Sequence, residues 1–401
     1  MNIKTLVGLF TRVFWMRRGG RSAREIRREE IFRENMNRKE FGMFKKCAGM
    51  ALAVMVGASL ALGGVAQAKG FKNLSFNGSY MPRHPTVLQV WEPFFKAAEA
   101  KFPGKNGLSF HYFASNELYP EAESMTALTD GRVDFGTVRP SVFPGNMNLL
   151  ASVAIPGMCP NAIVGSLVTQ EVIDEFPEVR AELPKNSTPF VAWASAAYQI
   201  HTINPVKNME ELKGKKIIVW DATTLEIVKA LGANPIRMTS TDTYLALSKG
   251  MGDGVLCPLA PLRSFKISEA TKYHLILNVG VNTFVMNVHT PLWNDMPKDM
   301  QDWLKAEGGM KMALANGKSL EDGAVADTKW MEEQGHEFYY LTEEERAKAL
   351  EPLAVFTEKW KTEECKGMDP ALVNKVLSFV QERSKYHTEQ MKAGAYGDYK
   401  M

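Results

Sequence analysis

Along residues 71–138 the apolar positions change period four times. FKNLSFNGSY puts Leu74 and Phe76 on one side of an extended segment. TVLQVWEPFFKAAEAKF then carries Val87, Val90, Trp91, Phe94, Phe95 and Ala98 at the spacing of one buried helix face, with Pro93 as an interior kink point. LSFHYFAS reads as a second strand, EAESMTALTDG as a helix stopped by Gly131, and VDFGTV as a third strand. The same order of elements starts again near KKIIVW. It continues through the helix ATTLEIVKALG, the strand NPIRM, the helix TDTYLALSKG and the segment GDGVLCP. Such alternation with short loops is the pattern of α/β layers, here used twice. The C-terminal third reads as helical, from PKDMQDWLKAEGG to PALVNKVLSFVQERS. No low-complexity linker parts the two units, which points to association across a cleft.

The N-terminal part follows other rules. From Cys47 to Ala68 there is no charged residue, Lys45 and Lys46 precede the run, and Ala66-Gln67-Ala68 ends it. A positive start, an apolar middle and small residues before the cut describe a secretory signal peptide over 36–68, cleaved near Ala68/Lys69, with a membrane anchor as the rival reading. Residues 1–35 are basic and carry no core pattern. They are expected to be a non-native or disordered extension, with Met36 or Met43 as the start of the signal.

This division changes the charge. The first 68 residues hold 13 of the 48 Lys and Arg and 5 of the 45 Asp and Glu, so the chain's net +3 becomes −5 in the remainder. A mildly acidic chain is a poor partner for nucleic acid. Beyond the signal lie Cys159, Cys257 and Cys365, an odd number for an oxidising compartment. A Cys159–Cys257 bridge is one option. No Cys/His cluster supports a metal, and no cofactor is indicated.

Catalytic patterns are missing: there is no G-x-S-x-G, H-E-x-x-H, P-loop or G-x-G-x-x-G. The histidines, His84, His201, His274, His289, His336 and His387 among them, stand singly in sequence and read as structural or solvated. The paired carboxylates Glu121/Glu123 and Glu332/Glu333 read as solvated helix faces. A binding protein rather than an enzyme is expected.

From Glu211 onward the chain reads ELKGKKIIVWDATTLEIVKALGANPIRMTSTDTYLALSKGMGDG. This resembles the signature region of the solute-binding proteins of TRAP (tripartite ATP-independent periplasmic) transporters: D-L-K-G-x-K-I-R-V, a helix ending A-L-G-A-x-P, a Tyr-x-A-L-x-x-G helix, then x-D-G. His84-Pro85, Asn116-Glu117-Leu118, LTDGRVDF, Pro189–Val206 and PLWNDMPKDMQDWLK fit in the same order. The resemblance implies an α/β fold of the two-lobe periplasmic binding protein kind (type II-like), with a long bracing helix and a helical C-terminus. Residues 69–200 plus 284–323 would form lobe I, and 201–283 plus 324–401 lobe II, closing on a ligand between them. It further implies a monomeric periplasmic receptor that passes a small organic solute, an organic acid in the first instance, to a membrane permease. A sensory receptor of the same fold, a cleft enzyme and an orphan with a decayed site are the alternatives.

The family's anion clamp is altered here. Ile218 stands where an arginine forks onto the ligand carboxylate, Asn204 where a second arginine often lies, Trp220 where proline follows, and Val255-Leu256-Cys257 where Q-E-N is usual. Two readings stay open. In one, a carboxylate is held by Arg139, after the VDFGTV strand, or by Arg83 in the first loop, since a guanidinium matches two oxygens with parallel N–H bonds. In the other, the ligand is apolar or lacks a carboxylate, Trp220 stacks on it and Asp221 meets a positive or hydroxyl group. Tyr198 and Cys257 are further candidates for the cleft. Thr223, Thr224 and Ser240 either cap helices or donate to the ligand.

Overall fold

The computed structural model of the protein describes residues 71–399. The expected extension 1–35, the signal peptide 36–68 and its cut site lie outside the described residues. Among the latter, no helix is long and apolar enough to cross a membrane.

Among the described residues, eleven strands form two sheets. Sheet 1 has the order β2-β1-β3-β10-β4, from β1 (Leu74–Asn77), β2 (Phe110–Phe113), β3 (Phe135–Val138), β4 (Ser187–Ala194) and β10 (Thr283–His289). Sheet 2 has the order β11-β9-β5-β8-β6-β7, from β5 (Gln199–Thr202), β6 (Lys216–Val219), β7 (Asn234–Arg237), β8 (Gly254–Cys257), β9 (Tyr273–Ile276) and β11 (Glu337–Tyr340). The helices used below are α1 (Glu92–Lys101), α2 (Ala162–Glu175), α3 (Ala222–Ala230), α4 (Gly309–Glu333) and α5 (Pro370–Lys392). This is the α/β arrangement in two units with a helical C-terminus that the sequence predicts; β11, of sequence EFYY, is a short edge strand between two helical patterns that the periodicity does not single out.

Each sheet is parallel except for one strand, and that strand is the one received from the other sheet. β10, reached from β9 through 277–282, runs antiparallel to β3 and β4. β5, reached from β4 through 195–198, runs antiparallel to β8 and β9. The C-terminal ends of the parallel strands of both sheets therefore face the crossings, where ligands bind in open α/β sheets.

Helices cover both faces of each sheet. On sheet 1, α2 and α5 enclose one core, with Ile163, Leu167, Val376 and Val380 buried, and α1 encloses the other around Phe76, Trp91 and Phe135. On sheet 2, α3 packs over Ile217 and Val219, while Met331 of α4 joins Ile218 and Val255 on the opposite face. The long helix α4 is bound into the first lobe by Trp91 Nε1 donating to Asn316 Oδ1 at 3.1 Å and by the Thr86–Ser319 hydroxyl pair at 2.8 Å. Its approach to α2 needs a glycine: a Cβ on Gly317 would stand 2.8 Å from Ile163 Cα. Pro93 acts as an interior proline should. A π-helical turn covers Val87–Trp91, and regular helix starts at Glu92 with the proline in its first turn.

The C-terminal helix corrects an expectation. Assigned by sequence to lobe II with the rest of 324–401, α5 packs on α2 of the first lobe instead. Its Arg383 holds Glu171 of α2 with two bonds of 2.8 and 2.6 Å, and His387 Nε2 lies 3.0 Å from the same carboxylate. The apolar stripe Val373-Val376-Leu377-Val380 fits the sheet 1 core, and a bidentate pair fixes its register. The proposed Cys159–Cys257 bridge is not formed. The two thiols are buried in different cores, one on each sheet, and Cys365 is free as well.

Candidate functional site

The ends of β1, β3, β4 and β10 place four side chains together on the first lobe. Tyr80 follows β1, Arg139 follows β3, Trp193 is near the end of β4, and Phe284 is the second residue of β10. Trp193 and Phe284 are register partners. Being directly opposite on one face, their rings stack at 5.3 Å and 7°. Tyr80 is sandwiched between His84 at 3.9 Å and Trp91 at 5.2 Å, and its hydroxyl accepts from Trp193 Nε1 at 3.0 Å. Burial is the main cause that pushes the Tyr80 hydroxyl up to about 12, against the lowering effects of Trp193 and Arg139.

Arg139 is built into this aromatic wall. Its guanidinium lies 5.6 Å from the centre of the Phe284 ring, and Nη2 donates to Glu121 Oε2 at 2.6 Å. Its Nε is buried and has no acceptor among the described residues. An orphaned buried N–H costs about 1–3 kcal/mol, more on a charged group, so this edge of the guanidinium calls for an acceptor, water included, from outside the described residues. Glu121 was expected on a solvated helix face. It is instead the partly buried anchor of Arg139, while Glu123 pairs with Arg132 at the surface.

The second lobe faces this wall with the ends of β6 and β8 and the start of β5. Asp221 follows β6 and caps α3: its Oδ1 accepts from Thr224 N at 2.8 Å and from the Thr224 hydroxyl at 2.9 Å. Tyr198 precedes β5, and its hydroxyl accepts from Asn282 Nδ2 at 2.6 Å. Burial raises the Tyr198 hydroxyl far above its ordinary value. The Asp221 charge adds to the rise and Arg139 opposes it, so the fields of both charged candidates meet at this ring. Trp220 is half-buried, its indole N–H donating to Thr243 Oγ1 at 3.0 Å and its ring edge-on to Phe265 at 6.1 Å.

Two adjoining cavities meet at Ser141, Ala154, Thr223 and Asn282. One of about 30 Å³, room for about one water, is lined by Ser141, Ala154 and Asn282 on one side and Tyr198, Asp221 and Thr223 on the other. A neighbour of about 220 Å³ shares Ser141, Ala154, Thr223 and Asn282 and reaches Phe356 and Trp360. Arg139 lines neither. The larger void has Glu364 on its wall and no cation among its lining residues.

Other sequence candidates fare differently. Asn204 is at the wrong end of sheet 2. β5 is reversed, so residues past its C-terminus lie beside Gly254 and Tyr273, a strand's length from Trp220 and Asp221, and Asn204 is exposed there. Cys257 is at the correct end but wholly buried, its carbonyl meeting His201 Nε2 at 3.0 Å. Ser240 opens the helix after β7, whose cap is Thr239 and not Ser240. Arg83 is exposed on the turn after β1. The sequence reading missed Tyr80, Trp193, Phe284 and Glu121. Only the pairing of PFVAWA with NTFVMNV across one sheet would have joined two of them.

Residues 76–363 match the family model described as bacterial extracellular solute-binding protein, family 7. The C4-dicarboxylate-binding periplasmic protein DctP of Rhodobacter capsulatus is 27% identical over 164 residues, 41% of this chain and 49% of that one. The chain spans about half the length of the curated relatives it matches. Among solved structures, a TRAP periplasmic solute-binding protein from Desulfovibrio salexigens DSM2638 superposes with a TM-score of 0.71 at 21% identity, covering 79% of this chain and 97% of that one. One from Rhodoferax ferrireducens T118, in complex with copurified benzoate, gives 0.68 at 18% identity, covering 79% and 98%.

Proposed function

The chain belongs to the family 7 bacterial extracellular solute-binding proteins, the solute-binding proteins of TRAP transporters, and from that premise we propose that it is a receptor for a small organic acid with an aromatic or otherwise apolar body. The observation that carries this reading is the buried, unpartnered Nε of Arg139, held against Phe284 and steered by Glu121. Arg139 takes over the role that Ile218 cannot play. Ile218 is fully buried in the second lobe's core, so the carboxylate is gripped from the first lobe instead. One oxygen meets Nε and the apolar body lies along Phe284 and Tyr80. Tyr198, Trp220 and Asp221 close over it from the second lobe. The benzoate bound by the Rhodoferax ferrireducens protein is a solute of this chemistry. The acid is captured in the periplasm, released unchanged and passed to a membrane permease.

A thermal-shift series tests this with benzoate, mandelate, C4-dicarboxylates and acetate, each beside its neutral primary amide. A ligand at about 100 times its dissociation constant adds about 2.7 kcal/mol of stability. The expected result is a clear rise with at least one aromatic acid and none with its amide. Equal shifts from acid and amide would remove the carboxylate from the reading.

A further inference from the structure

The three histidines that look isolated in sequence form one continuous hydrogen-bonded chain inside the second lobe. Lys272 Nζ lies 2.9 Å from His336 Nε2, His336 Nδ1 lies 2.9 Å from His274 Nε2, and His274 Nδ1 lies 2.8 Å from His201 Nδ1. His201 Nε2 ends the chain on the carbonyl of Cys257 at 3.0 Å. His201 and His274 are completely buried and His336 is 6% exposed.

The two ends fix the direction of every bond. An ammonium can only donate and a carbonyl can only accept. His336 and His274 must each accept at Nε2 and donate from Nδ1, and His201 must accept at Nδ1 and donate from Nε2. Each ring then carries one proton and no charge, and all six ring nitrogens are satisfied. A further proton on any ring sets two N–H groups against each other, and at His201 and His274 both rings are wholly buried.

The chain ties together the three strands of sheet 2 to which connections from the first lobe attach. His201 is on β5, which receives the β4 crossing. His274 is on β9, which leaves for β10, and His336 follows α4 and leads into β11. Three connections between the lobes thus enter sheet 2 on three adjacent strands, and one side chain from each connection belongs to the chain. We propose that it is an acid-sensitive latch, which holds these three connections in one register at the base of the second lobe and frees them when it takes up a proton.

The charged surroundings agree. The rings feel one another and Lys272, and all these influences oppose a further proton. On the same face of sheet 2 lie the neutral Cys257 thiol, raised by burial, and the Asp327–Arg263 pair at 3.7 Å, which balances itself. Burial is the largest cause in each ring, lowering His201 and His336 to about 4 and His274 to about 2. Unfolded histidines take up protons near 6.5, so below about that pH the unfolded chain binds more protons than the folded one. The stability the rings contribute is complete above that value and drains away as pH falls toward 4.

Two measurements on the whole protein test the latch. Ring-nitrogen NMR near neutral pH should show three neutral rings, His201 protonated on Nε2 and His274 and His336 on Nδ1. Amide exchange should show protection in β5, β9 and β11 falling together, at least about tenfold between pH 7 and pH 4.5, while α2 of the first lobe holds. In His274→Gln the joint fall should vanish. Should that variant not fold, Lys272→Met serves instead: removing the cation raises the proton affinity of His336, so the joint loss should begin at higher pH. Other tautomers, strands that lose protection at separate pH values, or α2 losing it in step would each overturn the proposal.

Discussion

Replacing Trp91 with alanine should cost the fold about 3–5 kcal/mol, the range for truncating a buried aromatic. The ring is 1% exposed and touches Phe76, Tyr80, Tyr112 and Trp193 at centroid distances of 5.0–5.6 Å. Truncation opens a void beneath the aromatic wall and also strands Asn316 Oδ1 on the long helix, where Asn316 Nδ2 already has no partner among the described residues. A polar group left unpaired in a core adds its own desolvation cost to the cavity term. Because Tyr80 stacks on this ring, ligand affinity should fall along with stability. Urea denaturation with and without a bound acid separates the two effects. Trp91→Phe, which keeps most of the volume and loses the N–H, should recover more than half of the stability. Full recovery would mean that the Asn316 bond contributes nothing.

Arg139→Ala should weaken a carboxylate ligand by roughly 10- to 150-fold, the equivalent of one charge-assisted hydrogen bond worth about 1.5–3 kcal/mol. The deletion also leaves Glu121 without its cation in a partly buried position, which adds repulsion toward an incoming anion. Arg139→Lys restores the charge but not the planar fork, so it should recover only part of the loss. Glu121→Gln acts in the opposite direction: its amide oxygen still accepts from Nη2, the opposing charge is gone, and a carboxylate should bind several-fold more tightly. Isothermal titration of the three variants with one aromatic acid checks all three signs. If Arg139→Ala binds as the parent does, the cation is only a surface partner of Glu121.

Sequence periodicity carries the parallel units because each strand there is bracketed by a helix and a turn residue. Gly131 illustrates this: its φ of +68° suits glycine, and a Cβ would stand 2.7 Å from His289. The reversed strands are another matter. β5 has the same local composition in either direction, so nothing in QIHT reveals that Asn204 lies far from Asp221. That depends on β5 arriving from the other lobe. The same holds for the histidine chain. His201 and His274 are 73 residues apart and become neighbours only through the β5–β9 register. α5 is legible as an amphipathic helix, but its stripe does not say which sheet it covers; Glu171 does. At the proposed site, Arg139 was already a candidate from the sequence. The partner Glu121 and the stacked Trp193 and Phe284 were not, because each is brought there by pairing across sheet 1 or by a turn with no helical period.

In the proposed function, one intact solute is held between the lobes by Arg139 and given back without chemical change. Native mass spectrometry of the protein mixed with an equimolar aromatic acid that raises its thermal stability tests this most directly, with denaturing release as the second step. The expected result is a single adduct whose added mass is that of the acid, lost in Arg139→Ala, and recovery of the same acid on unfolding. An adduct of altered mass, a covalent remnant after denaturation, or a 1:1 complex that persists undiminished in Arg139→Ala would contradict it.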